Sequence, residues 1–233
     1  MSDVPELFEG DVPDREWVLG QGFAFNPTSR KARMPDPAMW PPELDECPGD
    51  DTKRTVDRRT VFRVAERAAA SPNDPFGALQ LHVAAAVWGT GTKGLTAARA
   101  YRPLSEPDAG TKLTKALATV RSGGPLSAYK AMSSGGMLKI KHLDVAFFTK
   151  FLYFGGWDAK KHMPEPLIYD QHVARAMRHL TKDEEWAPHR GVNSPPSERY
   201  GEYLDLVAWW AAELSTSEDV VERRLYEIGY GLK

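Results

Sequence analysis

The chain has 233 residues, 42% apolar and 27% charged, proportions ordinary for a soluble globular protein with a sizeable core. Its formal net charge of −2 does not mark the chain as a whole as a nucleic-acid binder. A single cysteine, Cys47, excludes an intrachain disulfide and any four-cysteine metal or iron–sulfur site made by this chain alone, and fits a reducing cytoplasm.

Residues 1–56 are rich in proline and acid, as in "MPDPAMWPPELDECPGDD", and read as a loop-like extension. The start, "MSDVPELFEGDVPD", carries no apolar run, so no secretory signal is expected. Within the extension "EWVLGQGFAF" offers apolar anchors that can pack against a body. From residue 57 to 233 the signals are helical and define one domain. "TVDRRTVFRVAERAAAS" has Val56, Val61, Val64 and Ala68 at roughly helical spacing. "NDPFGALQLHVAAAVWG" follows, with Asn73 or Asp74 expected as cap and Pro75 in the first turn. "GLTAARAYRP", "DAGTKLTKALATVRSGG" and "GPLSAYKAMSSGG" read as short helices ended by Gly or Pro. The apolar "LDVAFFTKFLYFGG", the loop "GWDAKKHMPEP" and the helix "DQHVARAMRHL" come next. "SERYGEYLDLVAWWAAELSTS" and "SEDVVERRLYEIG" are the last two helices. Strand signals are few, "PLIY" (166–169) being the best, and no run approaches the ~18 apolar residues of a membrane span. There is no internal repeat and no low-complexity tract.

Two residues break these patterns. From Val145 to Trp157 only Thr149 and Lys150 are neither apolar nor small, which marks a buried helix. A lysine there either snorkels to the surface or has a partner or a task, because an unpaired buried ammonium is costly. Asp170 ends the apolar run of "PLIYD" and opens the next helix. Either it is an N-cap, or it is a carboxylate kept ionised by the helix dipole and able to stabilise a cation or activate a nucleophile. Charge is also uneven. Residues 93–150 hold 10 Lys or Arg against 3 Asp or Glu, between acidic flanks. That is either a face for an anionic partner or a solvated basic face. "WGTGTKG" (88–94) lacks the G-x-x-x-x-G-K-[ST] spacing of a phosphate loop and reads as a helix end and turn. The six histidines are scattered without H-E-x-x-H, so no metal site is expected. Trp209 and Trp210 read as core.

The order of these pieces resembles the helix-hairpin-helix DNA glycosylase superfamily, in particular bacterial 8-oxoguanine DNA glycosylase-like proteins. "IKHLDVAFFTKFLYFGG" followed by "PLIYDQHVARAM" carries the resemblance, which extends over roughly residues 58–230 and leaves the N-terminal extension outside it. It implies an all-α fold with two helical lobes around a cleft, plus the loop-rich extension. It implies a monomer that acts on double-stranded DNA without a cofactor, flips a damaged or modified base and cleaves its glycosidic bond. Asp170 stands where the superfamily has its essential aspartate. Lys150, about one turn beyond the superfamily's usual lysine, is the candidate either for the amine nucleophile, its apolar surroundings favouring the neutral form, or for a supporting role that holds the base or a phosphate. Lys139, Lys141 and His142 stand on the hairpin that grips a DNA phosphate. In the superfamily's Leu-x-Gly-x-Gly hairpin, His142 and Asp144 replace the two glycines. Tyr153 and Trp157 are candidates for stacking on a flipped base. The substrate implied is 8-oxoguanine or a modified phage base, with repair or defence against phage as the corresponding roles. A DNA-binding module that keeps the fold without the activity is the alternative.

Overall fold

A computed structural model describes residues 4–157, 159, 164–186 and 196–232. Its first elements are α1 (Arg15–Leu19), β1 (Gly22–Phe25), α2 (Pro27–Lys31) and β2 (Arg54–Asp57). The helical body follows as α3 (Arg58–Ala70), α4 (Gly77–Thr90), α5 (Gly94–Tyr101), α6 (Ala109–Met132), α7 (Val145–Gly156), α8 (Gln171–Thr181), α9 (Ser197–Glu213) and α10 (Glu218–Gly231). The fold is thus mostly helical, as the sequence indicates. None of the described helices is long and apolar enough to cross a membrane.

Helices α4 and α7 lie at the centre because their sequences leave no polar face. Leu81, Val83, Ala84 and Val87 of α4 are fully buried, as are Phe151, Leu152 and Tyr153 of α7. The two pack on each other, and α3 and α6 close around them. Amphipathic α3 turns Val61, Val64 and Ala68 inward and its arginines outward, with Arg58 the exception. Helix α6 contains the expected break: Gly124 has φ 82° and Pro125 follows it, so two helices meet at a kink.

Three local expectations are corrected. Asp74 accepts a hydrogen bond from the Phe76 amide (2.9 Å), which makes a turn of its own, and α4 begins only at Gly77. "PLIY" is extended but belongs to no sheet, since side chains take up its carbonyls: the Tyr200 hydroxyl donates to Leu167 and the Tyr203 hydroxyl to Ile168 (2.8 and 2.9 Å). The two strands lie instead in the proline-rich region and at its end. β1 and β2 pair antiparallel with Gly22 opposite Asp57 and Phe25 opposite Arg54. The division drawn between residues 56 and 57 therefore runs through β2. Most of the polar part of the loop read at "GWDAKKHMPEP" (158 and 160–163) lies outside the described residues.

The N-terminal segment is bound into the body. Leu7, Val18, Phe25, Leu44 and Cys47 are buried, and each large apolar side chain so placed contributes about 1.5–3 kcal/mol. The Gln21 carbonyl accepts from the Trp88 indole (2.9 Å) and from the Arg58 amide (3.2 Å), joining the segment to α4 and α3.

Helices α8 and α10 cross at backbone distance. A methyl group on Gly229 would lie 1.8 Å from the His172 carbonyl oxygen, a clash that no side chain can relieve by moving. We expect Gly229→Ala to cost about 3 kcal/mol, near the upper end for overpacking. At about 2–4 °C per kcal/mol in a chain of this size, thermal unfolding should shift down by roughly 6–12 °C. An unchanged midpoint would show that the helices do not cross at this glycine.

Candidate active site

The kinked end of α6, a turn over residues 133–144 and α7 form a helix-hairpin-helix unit. His142 at its tip has φ 67°, the left-handed region that favours glycine, so the turn persists at some backbone strain without the glycine. Lys141 and His142 are exposed, and Lys139 is half-buried with Nζ donating to the Ser134 hydroxyl (3.3 Å). Asp144 caps α7 in extended conformation; its Oδ1 is buried without a partner, and burial pushes its carboxyl above its ordinary value.

Lys150 does not snorkel. The residue is 7% exposed, and its Nζ donates to Asp170 Oδ2 at 3.0 Å and to the Ala146 carbonyl at 3.1 Å. The lysine stem runs against α4, where a methyl on Gly89 would sit 2.9 Å from Cδ and Cε. Asp170 divides its two oxygens. Oδ1 accepts the His172 and Val173 amides (2.9 and 3.2 Å), which caps α8, while Oδ2 faces Lys150. The cap and the charge partner are therefore one residue. Burial works against the Asp170 charge, but the Lys150 ammonium and the helix amides outweigh it and hold the carboxyl below its ordinary value.

The neighbours of the pair set its geometry. Thr149, beside Lys150, accepts from the Tyr169 amide at 3.1 Å and donates to the Val145 carbonyl at 2.7 Å. One hydroxyl thus ties the chain just before Asp170 to the helix that carries the lysine.

The pair opens onto a cavity of about 440 Å³. Phe23 of β1, Trp88 at the end of α4 and Tyr226 and Tyr230 of α10 give it aromatic walls. Thr90, Gly91, Thr92 and Lys93, from the "WGTGTKG" stretch, edge it. A second ion pair lines it too: Arg58 donates to Glu222 at 2.7 Å, each 1% exposed. The Arg58 guanidinium also donates to Gln21 Oε1 (2.8 Å) and lies over the Trp88 and Tyr153 rings. Burial pushes Glu222 above its ordinary value against the pull of Arg58. Among the described residues, no group of three His, Cys, Asp or Glu side chains is placed to hold a metal ion.

Tyr153 and Trp157 are not among the cavity-lining residues. Tyr153 is fully buried, its hydroxyl donates to Asp219 Oδ2 (3.2 Å), and its ring packs on Phe62 and Trp157. Trp157 lies under the Arg15 guanidinium at 4.8 Å. The aromatic side chains that do line the cavity include Trp88, Tyr226 and Phe23, which sequence reasoning passes over as helix and extension core. The hairpin residues Lys139, Lys141 and His142 likewise stand apart from the cavity, at the other end of the unit that carries Lys150.

A helix-hairpin-helix unit, a buried Lys–Asp pair and an aromatic cavity beside them define the site. Over residues 16–226 the chain matches the family described as "Putative 8-oxoguanine DNA glycosylase OGG-like protein", and it belongs to that family. The match starts inside the N-terminal segment, which agrees with the packing of that segment on the body. No curated protein and no solved structure matches the chain.

Asp170 is held below its unfolded value, so the ion pair contributes stability above pH about 4, and this is lost as pH falls through the folded value. We expect wild type to be more stable than Lys150→Gln at pH 7, with the gap narrowing toward pH 3. Denaturant unfolding of both chains at the two pH values checks this; a gap independent of pH would disconnect the lysine from the Asp170 charge.

Proposed function

We propose that the protein is a DNA glycosylase: it takes a base turned out of duplex DNA into the 440 Å³ cavity and cleaves its N-glycosidic bond with the Lys150–Asp170 pair. The observation that carries this reading is the pair itself, a buried carboxylate kept ionised at a helix N-terminus where it faces an aromatic-walled cavity. Bond cleavage leaves positive charge on the sugar, and a fixed carboxylate stabilises that charge without having to reorganise. The C1′–N electron pair leaves with the base, which takes up a proton. Water adds at C1′ and releases one. Lys150 orients the Asp170 carboxylate and helps to keep it charged. The amine at the cavity wall also supports a second route, in which Nζ passes a proton to the departing base and attacks C1′ as the C1′–N bond breaks; opening of the sugar ring then gives an imine, which borohydride reduces to a stable protein–DNA adduct.

Trp88, Tyr226 and Phe23 provide flat apolar faces for a base, which offset part of the few kcal/mol of unstacking. The hairpin supplies the phosphate grip through Lys139, Lys141 and His142, and the rest of the 93–150 basic block adds attraction. The substrate class is 8-oxoguanine or another damaged or modified base, including the modified bases of phage DNA.

Asp170→Asn should keep the fold and DNA binding and lose at least about a hundredfold in single-turnover base release, the scale of removing one charge-stabilising group. Mass spectrometry of bases freed from DNAs carrying 8-oxoguanine or phage modifications measures this and names the base. Release by the variant at the wild-type rate would reduce Asp170 to a cap.

Replacing both Lys139 and Lys141 by Glu should weaken binding to every duplex sequence alike. It should also flatten the plot of log affinity against log salt by about 0.9 for each phosphate that is no longer neutralised. Unchanged affinity and slope would leave the hairpin as a solvated basic face.

A further inference from the structure

Among the described residues the buried Lys and Arg side chains are Arg30, Arg58 and Lys150. Lys150 and Arg58 each have a carboxylate partner. Arg30, 4% exposed, has no carboxylate within ion-pair distance among the described residues. Burial of an unneutralised charge is costly, and a guanidinium cannot escape the cost by losing its proton. Arg30 stands in the last turn of α2, and its Nη2 donates to the Gly91 carbonyl. Its guanidinium carbon lies 5.9 Å from the centroid of the Tyr101 ring. Gly91 directly follows the last residue of α4, where the helix dipole favours a cation. Water would satisfy that carbonyl without burying a charge, so the arginine serves for more than a cap.

The carbonyl that Arg30 holds belongs to the rim of the cavity. Residues 89 to 93 all line it, while Arg30 itself does not. Gly91 has φ 48° and ψ −123°, a reversal that suits glycine. A methyl group there would lie 3.5 Å from both the Ala24 carbonyl oxygen and Phe23 Cβ, so β1 supports the turn from the other side. Two residues earlier, Gly89 packs on the stem of Lys150. Thr90, between them, is fixed by its hydroxyl, which donates to the Ala86 carbonyl (2.7 Å). Three consecutive residues thus lead from the buried guanidinium to the lysine of the Lys150–Asp170 pair.

We infer that Arg30 is a positioning residue: by fixing the Gly91 carbonyl it holds the 89–93 rim against Lys150 and sets where an extruded base stands relative to Asp170. This rests on the proposed function and adds a residue to the same site from the N-terminal segment.

The test compares single-turnover base release, on DNA from which wild type frees a base, with duplex affinity measured by fluorescence anisotropy. Arg30→Met should lower the rate at saturating protein by about a hundredfold, the scale of a misplacement of about 1 Å. Its duplex affinity should be unchanged, because the buried side chain presents no surface to DNA. Arg30→Lys, which keeps a cation and a donor, should recover most of the rate. Gly91→Ala disturbs the same rim through its backbone and should also lose rate without affinity, which keeps the test decisive if Arg30→Met does not fold. Circular dichroism at the assay temperature confirms that the variants compared are folded. A wild-type rate in either folded variant overturns the inference and leaves the glycosylase reading standing. So does a loss of duplex affinity in parallel with the rate. Failure of wild type to free a base from any DNA overturns both.

Discussion

Lys150 and Asp170 meet 3.0 Å apart inside the protein, and much of the structure serves to hold them there. Each alone would be expensive, because an isolated buried charge costs several kcal/mol. The pair is tolerated because each member has hydrogen bonds beyond the other: the ammonium also reaches the Ala146 carbonyl, and the carboxylate takes two amides of α8. Gly89 leaves room for the lysine stem, and Thr149 aligns the two chain segments. Tyr200 and Tyr203 fix the carbonyls of the strand-like run that delivers Asp170. A carboxylate prepared in this way is charged and immobile before a substrate arrives, which is the condition for stabilising developing positive charge.

The N-terminal segment completes the cavity. Gln21 holds the Arg58 guanidinium and the Trp88 indole, and Phe23 supplies a wall. Arg58 in turn neutralises Glu222, which would otherwise be an unpaired carboxylate beside the Asp170 charge. Removal of either member of this second pair would therefore disturb the first through its field, without touching it.

Lys150 and Asp170 are legible in the sequence because each violates its local pattern, a cation in an apolar helix and an acid at the end of an apolar run. Their contact is not, since it depends on Thr149 and Gly89, whose places beside the pair no spacing rule specifies. The helical body can be read from periodicity, and the break at "SGGP" from its turn residues. Tyr153 and Trp157 do not line the cavity that Lys150 meets, so nearness to Lys150 in sequence does not say which side chain faces it. Trp88 and Tyr226 look like helix core and are also cavity wall. Arg58 and Glu222, 164 residues apart, give no signal: a charged residue at an inward position of an amphipathic helix looks like an outward one until its partner is known. The short strands are hidden among prolines, where four-residue pairing is fixed by the body beneath and not by propensity.

If the pair acts as one device, its members cannot contribute independently. The most direct measurement is a double-mutant cycle in single-turnover base release with Lys150→Gln, Asp170→Asn and both together, on the DNA from which wild type frees a base. The account predicts that each single change removes most of the activity and that the double variant is no slower than the slower single one. Losses that multiply would contradict it, since they would show two independent groups where the structure places one ion pair.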